Sequence, residues 1–335
     1  VKVLHVGMGK TATTSLQVHV FPRLAAHEAV GAYNPQTLHL GLDAAVNGHG
    51  DEARLIPLAA AQECMLISNE TLLEWDPVLW EPSADRLLRV FGGEVTILIT
   101  LRDPASYLRS LFQQMLHHNK VRPPEDFLLP ADVYRGVRRF VRPGELDAID
   151  VDAFDMVYMA SLYAERFASV VLVPFEEIGT LRFLSAIWTI PDDFRDALAR
   201  DFVAAPRVNT SYSAAAVRLT LGRERALAAL GLRSRSASDR QLRKTLSHMR
   251  GTPFTPDRSP LPSWHRLMGL LSRYGPKAAY RLPNGAYLGR HMARNAAFYA
   301  ALRAAPEGYV RLIDGVTPSG LTPAALAQEA GPACS

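Results

Sequence analysis

The sequence predicts an α/β protein, with a central parallel sheet flanked by helices and a mostly helical C-terminal region. Three observations carry this reading. Short segments that are apolar throughout, rather than alternating, recur between residues 2 and 174, as expected of parallel strands buried on both faces. Stretches of helical periodicity lie between them. From about Ser211 onward, helical patterns dominate.

The elements follow in order. Lys2–Gly7 (KVLHVG) reads as a short buried strand that opens into a glycine loop. Thr13–Phe21 begins with hydroxyl residues suited to capping a helix, and Leu16, Val20 and Leu24 share one stripe. Pro22 should kink or end that helix. Cys64–Ser68 (CMLIS) is a second strand, and Glu94–Leu101 (EVTILITL), rich in β-branched residues, a third. Asp103 is a good N-cap and Pro104 suits the first helical position. The helix they start should run to about His118, with Leu108, Leu111, Phe112 and Met115 on its apolar stripe. Lys120–Asp152, rich in proline and charge, reads as a long loop or partial lid. Phe154–Phe167 reads as a helix and Ser169–Pro174 (SVVLVP) as a fourth strand. The expected division is an α/β core over 1–210 and a helical region over 211–335, interrupted by a loop at Gly251–Pro262.

The 335 residues, 48% hydrophobic and 21% charged, can bury a large core, and nothing in them points to wholesale disorder. Two cysteines, Cys64 and Cys334, make no disulfide framework. The opening residues lack the parts of a signal peptide, and no run approaches the ~18 apolar residues of a membrane span. The expectation is a cytoplasmic protein with no transmembrane segment. The net charge of +4 is unevenly spread: from Arg207 to Arg250 ten Lys and Arg face two acids, Glu224 and Asp239. That stretch is either an anion-attracting patch or a solvated helical surface.

The most informative segment is Gly7–Ser15 (GMGKTATTS), between the first strand and its helix. Its physics is anion binding. Glycines let the backbone approach closely, free amides at the helix start point at the ligand, and the helix dipole adds favourable potential. Lys10 brings a full charge, and Thr11, Thr13 and Thr14 bring hydroxyls. A Walker A loop would need a glycine at Leu4, which disfavours an ordinary ATPase or kinase. A Rossmann fingerprint fits Gly7, Gly9 and Ala12, but Ala29–Asn34 lacks the acidic residue that would hold a ribose.

The loop resembles the 5′-phosphosulfate loop of the sulfotransferases that use 3′-phosphoadenosine-5′-phosphosulfate (PAPS), in particular the bacterial and carbohydrate-type members. The resemblance implies a P-loop-like sheet. It also implies that Lys10 contacts the transferring sulfonate and that Gly9, Thr11, Ala12, Thr13 and Thr14 surround the 5′-phosphate. Ala12 stands where many members carry glycine. Arg102 at the end of the third strand, with Ser110 eight residues later, is similar to the family's 3′-phosphate motif. The planar arginine fork suits phosphate oxygens, although Arg-Asp-Pro is also a common strand-to-helix junction. Arg207-Val208-Asn209-Thr210-Ser211 resembles a stretch that closes over the nucleotide in relatives, with Arg207 and Asn209 as contacts; it also reads as a plain polar loop. The resemblance covers roughly Val1 to Asn209.

Sulfonate transfer needs a base for the acceptor proton and positive charge on the leaving oxygens. Lys10 suits the second role. Glu70 follows the second strand, where the glutamate-type relatives carry their base; the alternative is that it caps the turn at Thr71–Trp75. His39, His117 and His118 are the histidine candidates for the base, while His5, inside the first strand, reads as a core or supporting residue. No metal is expected. The expected partner is an acceptor (carbohydrate, lipid or small molecule) offering a hydroxyl or amine, and not a nucleic acid; oligomeric state is unassigned. The rivals are an ATP-dependent P-loop phosphotransferase and a non-catalytic protein that binds a nucleotide or an anionic glycan.

Overall fold

Each apolar segment marked as a strand enters one sheet in the computed structural model, which describes residues 1–27, 30–46, 50–118, 120–140, 147–205, 212–230, 244, 246–251, 264–283 and 288–313. In chain order the strands are β1 (Lys2–His5), β2 (Ala32–Tyr33), β3 (Met65–Ser68), β4 (Thr96–Leu101), β5 (Leu128–Leu129), β6 (Ile149–Asp150), β7 (Ser169–Pro174) and β8 (Val310–Ile313). Six of them form a sheet in the order β2-β3-β1-β4-β7-β8. Its pairings are parallel except β7 with β8. All residues of β3, β4 and β7 are buried, which is why their sequences read as continuous apolar runs. The α/β class is as the sequence predicts.

The strand order positions the site. From β1 the chain moves to one side of the sheet for β2 and β3, then returns to β1's other flank for β4. Such a reversal leaves a crevice at the carboxyl ends of the central strands, where ligands of open α/β sheets bind. The loop after β1, Glu70 after β3 and Arg102 after β4 all sit at those ends.

The helix after the loop runs Thr13–His19 and a second one begins at Phe21. Pro22 has no N–H to continue the first helix and is tolerated in the opening turn of the second. Helices at Gln36–Val46, Glu52–Ala60 and Trp80–Phe91 were not foreseen. Pro57 lies inside the second of these. The third buries Trp80, Ala84, Leu87, Val90 and Phe91 along one face.

The chain divides into two compact units, one of Val1–Pro104, Asp155–Val208 and His291–Ser335, the other of Ala105–Phe154 and Asn209–Arg290. The first holds the six-stranded sheet. The C-terminal region carries helices at Ala214–Ala229, Trp264–Tyr274 and Met292–Arg303. It also supplies β8, an antiparallel edge strand whose burial alternates, a pattern unlike the continuous apolar runs of the parallel strands.

In the second unit, the described residues of Lys120–Asp152 include regular structure where the sequence suggested a loop or partial lid. They contain a helix at Ala131–Val137 and the parallel pair β5 and β6. Some of their charges are internal: Asp147 is fully buried and accepts from Lys120 Nζ at 2.5 Å, while Arg122 donates to the Asp147 carbonyl. Asp152 accepts from the amide of Ala131 at 3.0 Å. Composition reads such charges as solvated, whereas Lys120, Arg122 and Asp147 pack together inside the protein, with Asp147 Oδ2 left without a hydrogen bond among the described residues. The helix Pro104–His117 buries Leu108, Leu111, Phe112 and Met115 as its stripe requires, and Phe112 stacks on Tyr280 at 5.7 Å. Arg207 and Asn209 lie outside the described residues, as does much of the basic stretch. Within that stretch Arg223 pairs with Glu224 at 3.1 Å and lies over the Trp264 ring. Among the described residues no helix is long and apolar enough to cross a membrane.

Candidate functional site

The loop after β1 is held by the sheet at its start and by the helix at its end. Val6 and Met8 donate to the carbonyls of Leu98 and Thr100, at 3.0 and 3.1 Å, so the chain stays against β4 as it leaves β1. Gly7 is required by crowding. A Cβ there would lie 2.1 Å from Thr100 Oγ1 and 2.7 Å from His5 Nε2. Gly9 is required for the same reason, since its Cβ would fall 1.9 Å from the six-membered ring of Trp75.

Lys10 and Ala12 both adopt positive φ, 68° and 60°. Left-handed backbone costs an L-residue with a Cβ about 1–2 kcal/mol, so the loop is held in a strained shape by its surroundings. Ala12 is the N-cap of the helix and, having no polar side chain, caps none of its amides. Those amides, at the positive end of a helix dipole, suit an anion. Thr13 begins the helix, and its Oγ1 is buried with no hydrogen-bond partner among the described residues. A buried, unsatisfied hydroxyl is costly. With the uncapped amides, it fits an anionic group such as the 5′-phosphate of PAPS. Thr14 and Ser15 are half-buried on the same turn. Thr11 differs: it is fully buried, and its hydroxyl donates to the Met8 carbonyl. The Thr11 hydroxyl is thus committed inside the protein and is not the donor to a ligand that the sequence led one to expect.

Three charged groups meet at the mouth of the loop. Lys10 is half-buried, and burial holds its ammonium below the usual lysine range; Glu70 pulls it back up and Arg102 pushes it further down. Glu70 is raised above the usual carboxylate range by burial, with Lys10 opposing. Arg102 donates from Nη1 to the Lys10 carbonyl at 3.1 Å, and its guanidinium lies 4.8 Å from the centre of the Phe175 ring. Tyr299 braces that corner. Its hydroxyl donates to Glu176 Oε2 at 2.5 Å and accepts from the Phe175 amide at 3.2 Å.

Glu70 opens a short 3-10 turn, but Asn69 caps it, accepting from the Thr71 amide at 2.9 Å and from the Thr71 hydroxyl at 2.8 Å. The capping role weighed for Glu70 thus belongs to its neighbour. Of the histidine candidates, His39 sits on the helix Gln36–Val46. His117 packs edge-on against Tyr212 at 4.2 Å, and His118 shares a hydrogen bond with Gln114 at 2.8 Å, both in the second unit. Ser110 also belongs to the second unit, on the helix Pro104–His117, and is 6% exposed. Among the described residues, no group of three or more His, Cys, Asp or Glu is arranged to hold a metal.

Sequence reasoning passed over Trp75 as a part of the loop's architecture, and over the polar chain beneath the loop. His5, fully buried, bridges Ser68 Oγ at 2.7 Å and Thr100 Oγ1 at 3.3 Å. The one available signal was a histidine in an otherwise apolar strand two residues before the first glycine.

No protein-family model matches this chain, and no curated protein matches it. A sulfotransferase from Alicyclobacillus acidocaldarius has a similar crystal structure, at 15% identity and a TM-score of 0.37, covering 79% of this chain and 98% of that one.

Proposed function

We propose that this protein is a PAPS-dependent sulfotransferase that places a sulfonate on a hydroxyl or amine of a carbohydrate, lipid or small-molecule acceptor. One observation carries the reading. A strained anion loop brings Lys10 into electrostatic contact with both Glu70 and Arg102, at the carboxyl ends of three adjacent strands.

When bound, PAPS supplies a sulfonate group carried on its 5′-phosphate. The loop amides from Gly9 to Thr14 and the Thr13 hydroxyl bind that phosphate. Lys10 Nζ holds positive charge against the phosphate–sulfonate oxygens, where charge builds as the bond breaks. Arg102, and by the sequence motif Ser110, are assigned to the 3′-phosphate. Glu70, ionised, takes the acceptor's proton on its carboxylate, and its raised affinity for protons suits a general base. Arg207, Asn209 and an acceptor-binding role for the helices beyond residue 211 belong to the same proposal and rest on the sequence motif.

The test is thermal stability with 3′-phosphoadenosine-5′-phosphate (PAP) beside ATP with Mg²⁺, followed by a sulfonate-transfer assay across acceptor classes. Stabilisation by PAP alone, with transfer to at least one acceptor, is expected. A response to ATP with Mg²⁺ and none to PAP would indicate a phosphotransferase. Binding of PAP with no transfer to any acceptor would indicate a binding protein.

A further inference from the structure

Beneath the loop runs a chain of buried polar groups whose hydrogen positions can be deduced from its end. Thr11 Oγ1 donates to the Met8 carbonyl, which can only accept. Its single hydrogen is then committed, so in the 2.6 Å contact with Thr100 the donor is Thr100 Oγ1. That commits the Thr100 hydrogen in turn. The 3.3 Å contact between Thr100 Oγ1 and His5 Nε2 therefore has the imidazole N–H as donor. A neutral imidazole protonated on Nε2 accepts at Nδ1, so Ser68 Oγ donates there at 2.7 Å. Ser68 is supplied by Gln17, whose Nε2 donates to the Ser68 hydroxyl at 3.1 Å and to its carbonyl at 2.9 Å.

Every link thus has one direction, from Gln17 through Ser68, His5, Thr100 and Thr11 to the carbonyl of Met8. The chain crosses β3, β1 and β4, and its last link, from Thr11 to Met8, brackets Lys10. Burial pushes the His5 pKa down to about 3, which agrees with a neutral ring. The chain also explains Gly7, because a side chain there would strike the two atoms of the His5–Thr100 link.

We propose that His5 is a positioning residue: as the Nε2–H tautomer it orders Thr100 and Thr11, and so holds the Met8–Thr11 turn in the shape that presents Lys10 and the loop amides to an anion. This rests on the site being the phosphate site described above. Three variants separate the roles. His5→Phe keeps a ring against Phe21, which His5 already meets edge-on at 5.2 Å. Thr100→Val removes one hydroxyl at nearly constant volume, and Thr100→Ser restores it.

The experiment joins two readouts. Nitrogen-15 NMR of the wild-type imidazole reports the tautomer without reference to any ligand. Titration calorimetry with PAP reports the loop. The expected result is Nε2–H, with PAP affinity down about 5- to 10-fold in His5→Phe and in Thr100→Val, the scale of one lost hydrogen bond. The double variant should be no worse than either single one, because a serial chain breaks once, and Thr100→Ser should bind as wild type does. An Nδ1–H tautomer, or unchanged PAP affinity in folded Thr100→Val, would overturn the proposal. Additive losses in the double variant would reduce His5 to a packing residue. Failure of the wild type to bind PAP would overturn the phosphate-site reading and the positioning role with it, while the tautomer would still decide the hydrogen-bond chain.

Discussion

Arg102 Nη1 donates to the carbonyl of Lys10 at 3.1 Å, joining two residues 92 positions apart in the chain. The contact makes the end of β4 part of the loop that follows β1. Arg102 therefore shapes the lysine's backbone as well as supplying charge.

Arg102→Ala should weaken PAP binding by roughly 10- to 100-fold, the loss of a charged hydrogen bond to phosphate. Calorimetry with PAP beside adenosine-5′-phosphosulfate, which lacks the 3′-phosphate, separates its two roles. A loss confined to PAP identifies the 3′-phosphate contact. An equal loss for both ligands means that Arg102 acts only by bracing Lys10. Ser110→Ala should show the smaller, PAP-selective defect.

Lys10 carries opposite demands for stability and for chemistry. Its backbone sits at φ 68° and its ammonium is partly desolvated. Lys10→Gly should stabilise the ligand-free protein by about 1 kcal/mol through relief of the left-handed strain. Turnover in the same variant should fall by roughly 10²-fold or more, as for loss of one preorganised charge. Lys10→Ala should share the catalytic loss without the stability gain. A melting temperature for Lys10→Gly below that of Lys10→Ala would refute the strain argument.

Ala12 offers a cleaner version of the same test, since no charge is involved. At φ 60° it occupies a position that favours glycine. Ala12→Gly should gain about 0.5–1 kcal/mol, the relief of strain less the added freedom of the unfolded chain. PAP affinity should stay near the wild-type value. Denaturant unfolding measures the first and calorimetry the second.

Thr13→Val replaces a buried, unsatisfied hydroxyl with a methyl group. The ligand-free protein should be at least as stable as wild type, because the desolvated hydroxyl is gone. PAP affinity should fall by about 5-fold or more, one hydrogen bond's worth. A stability loss without an affinity loss would show the hydroxyl to be structural.

Glu70 and Lys10 together set a pH profile. A base must be ionised, and burial raises the Glu70 pKa, so activity should climb with pH through a limb above the usual carboxylate range. Lys10 must be charged, and its pKa is lowered, so activity should decline through a limb below the usual lysine range. Glu70→Gln should lose about 10²- to 10⁴-fold in turnover and keep PAP affinity. It should also be at least as stable as wild type in mildly alkaline buffer. A raised folded-state pKa means the folded chain binds the extra proton, so the ionised carboxylate costs stability as pH rises. An active Glu70→Gln beside an inactive His39→Ala that still binds PAP would move the base to the histidine.

How much of this was legible beforehand follows from which residues carry local information. Strands β1, β3, β4 and β7 could be read because parallel strands are apolar on both faces. The loop could be read because glycine, lysine and threonine ahead of a helix have a local physical meaning. That Ala12 needs left-handed backbone, that Asn69 rather than Glu70 caps its turn, and that Thr11 turns inward could not. Each depends on atoms placed by the neighbouring fold.

Local sequence was enough to give the class of the sheet and a glycine-, lysine- and threonine-rich turn after β1, because those properties depend on composition and short-range spacing. Tertiary structure decided which charged residues share a site. Strand order, set by long-range pairing, puts the ends of β1, β3 and β4 side by side and so brings Lys10, Glu70 and Arg102 together. It also supplied the hydrogen-bond partners of His5, which stand 63 and 95 residues away and are invisible in local sequence.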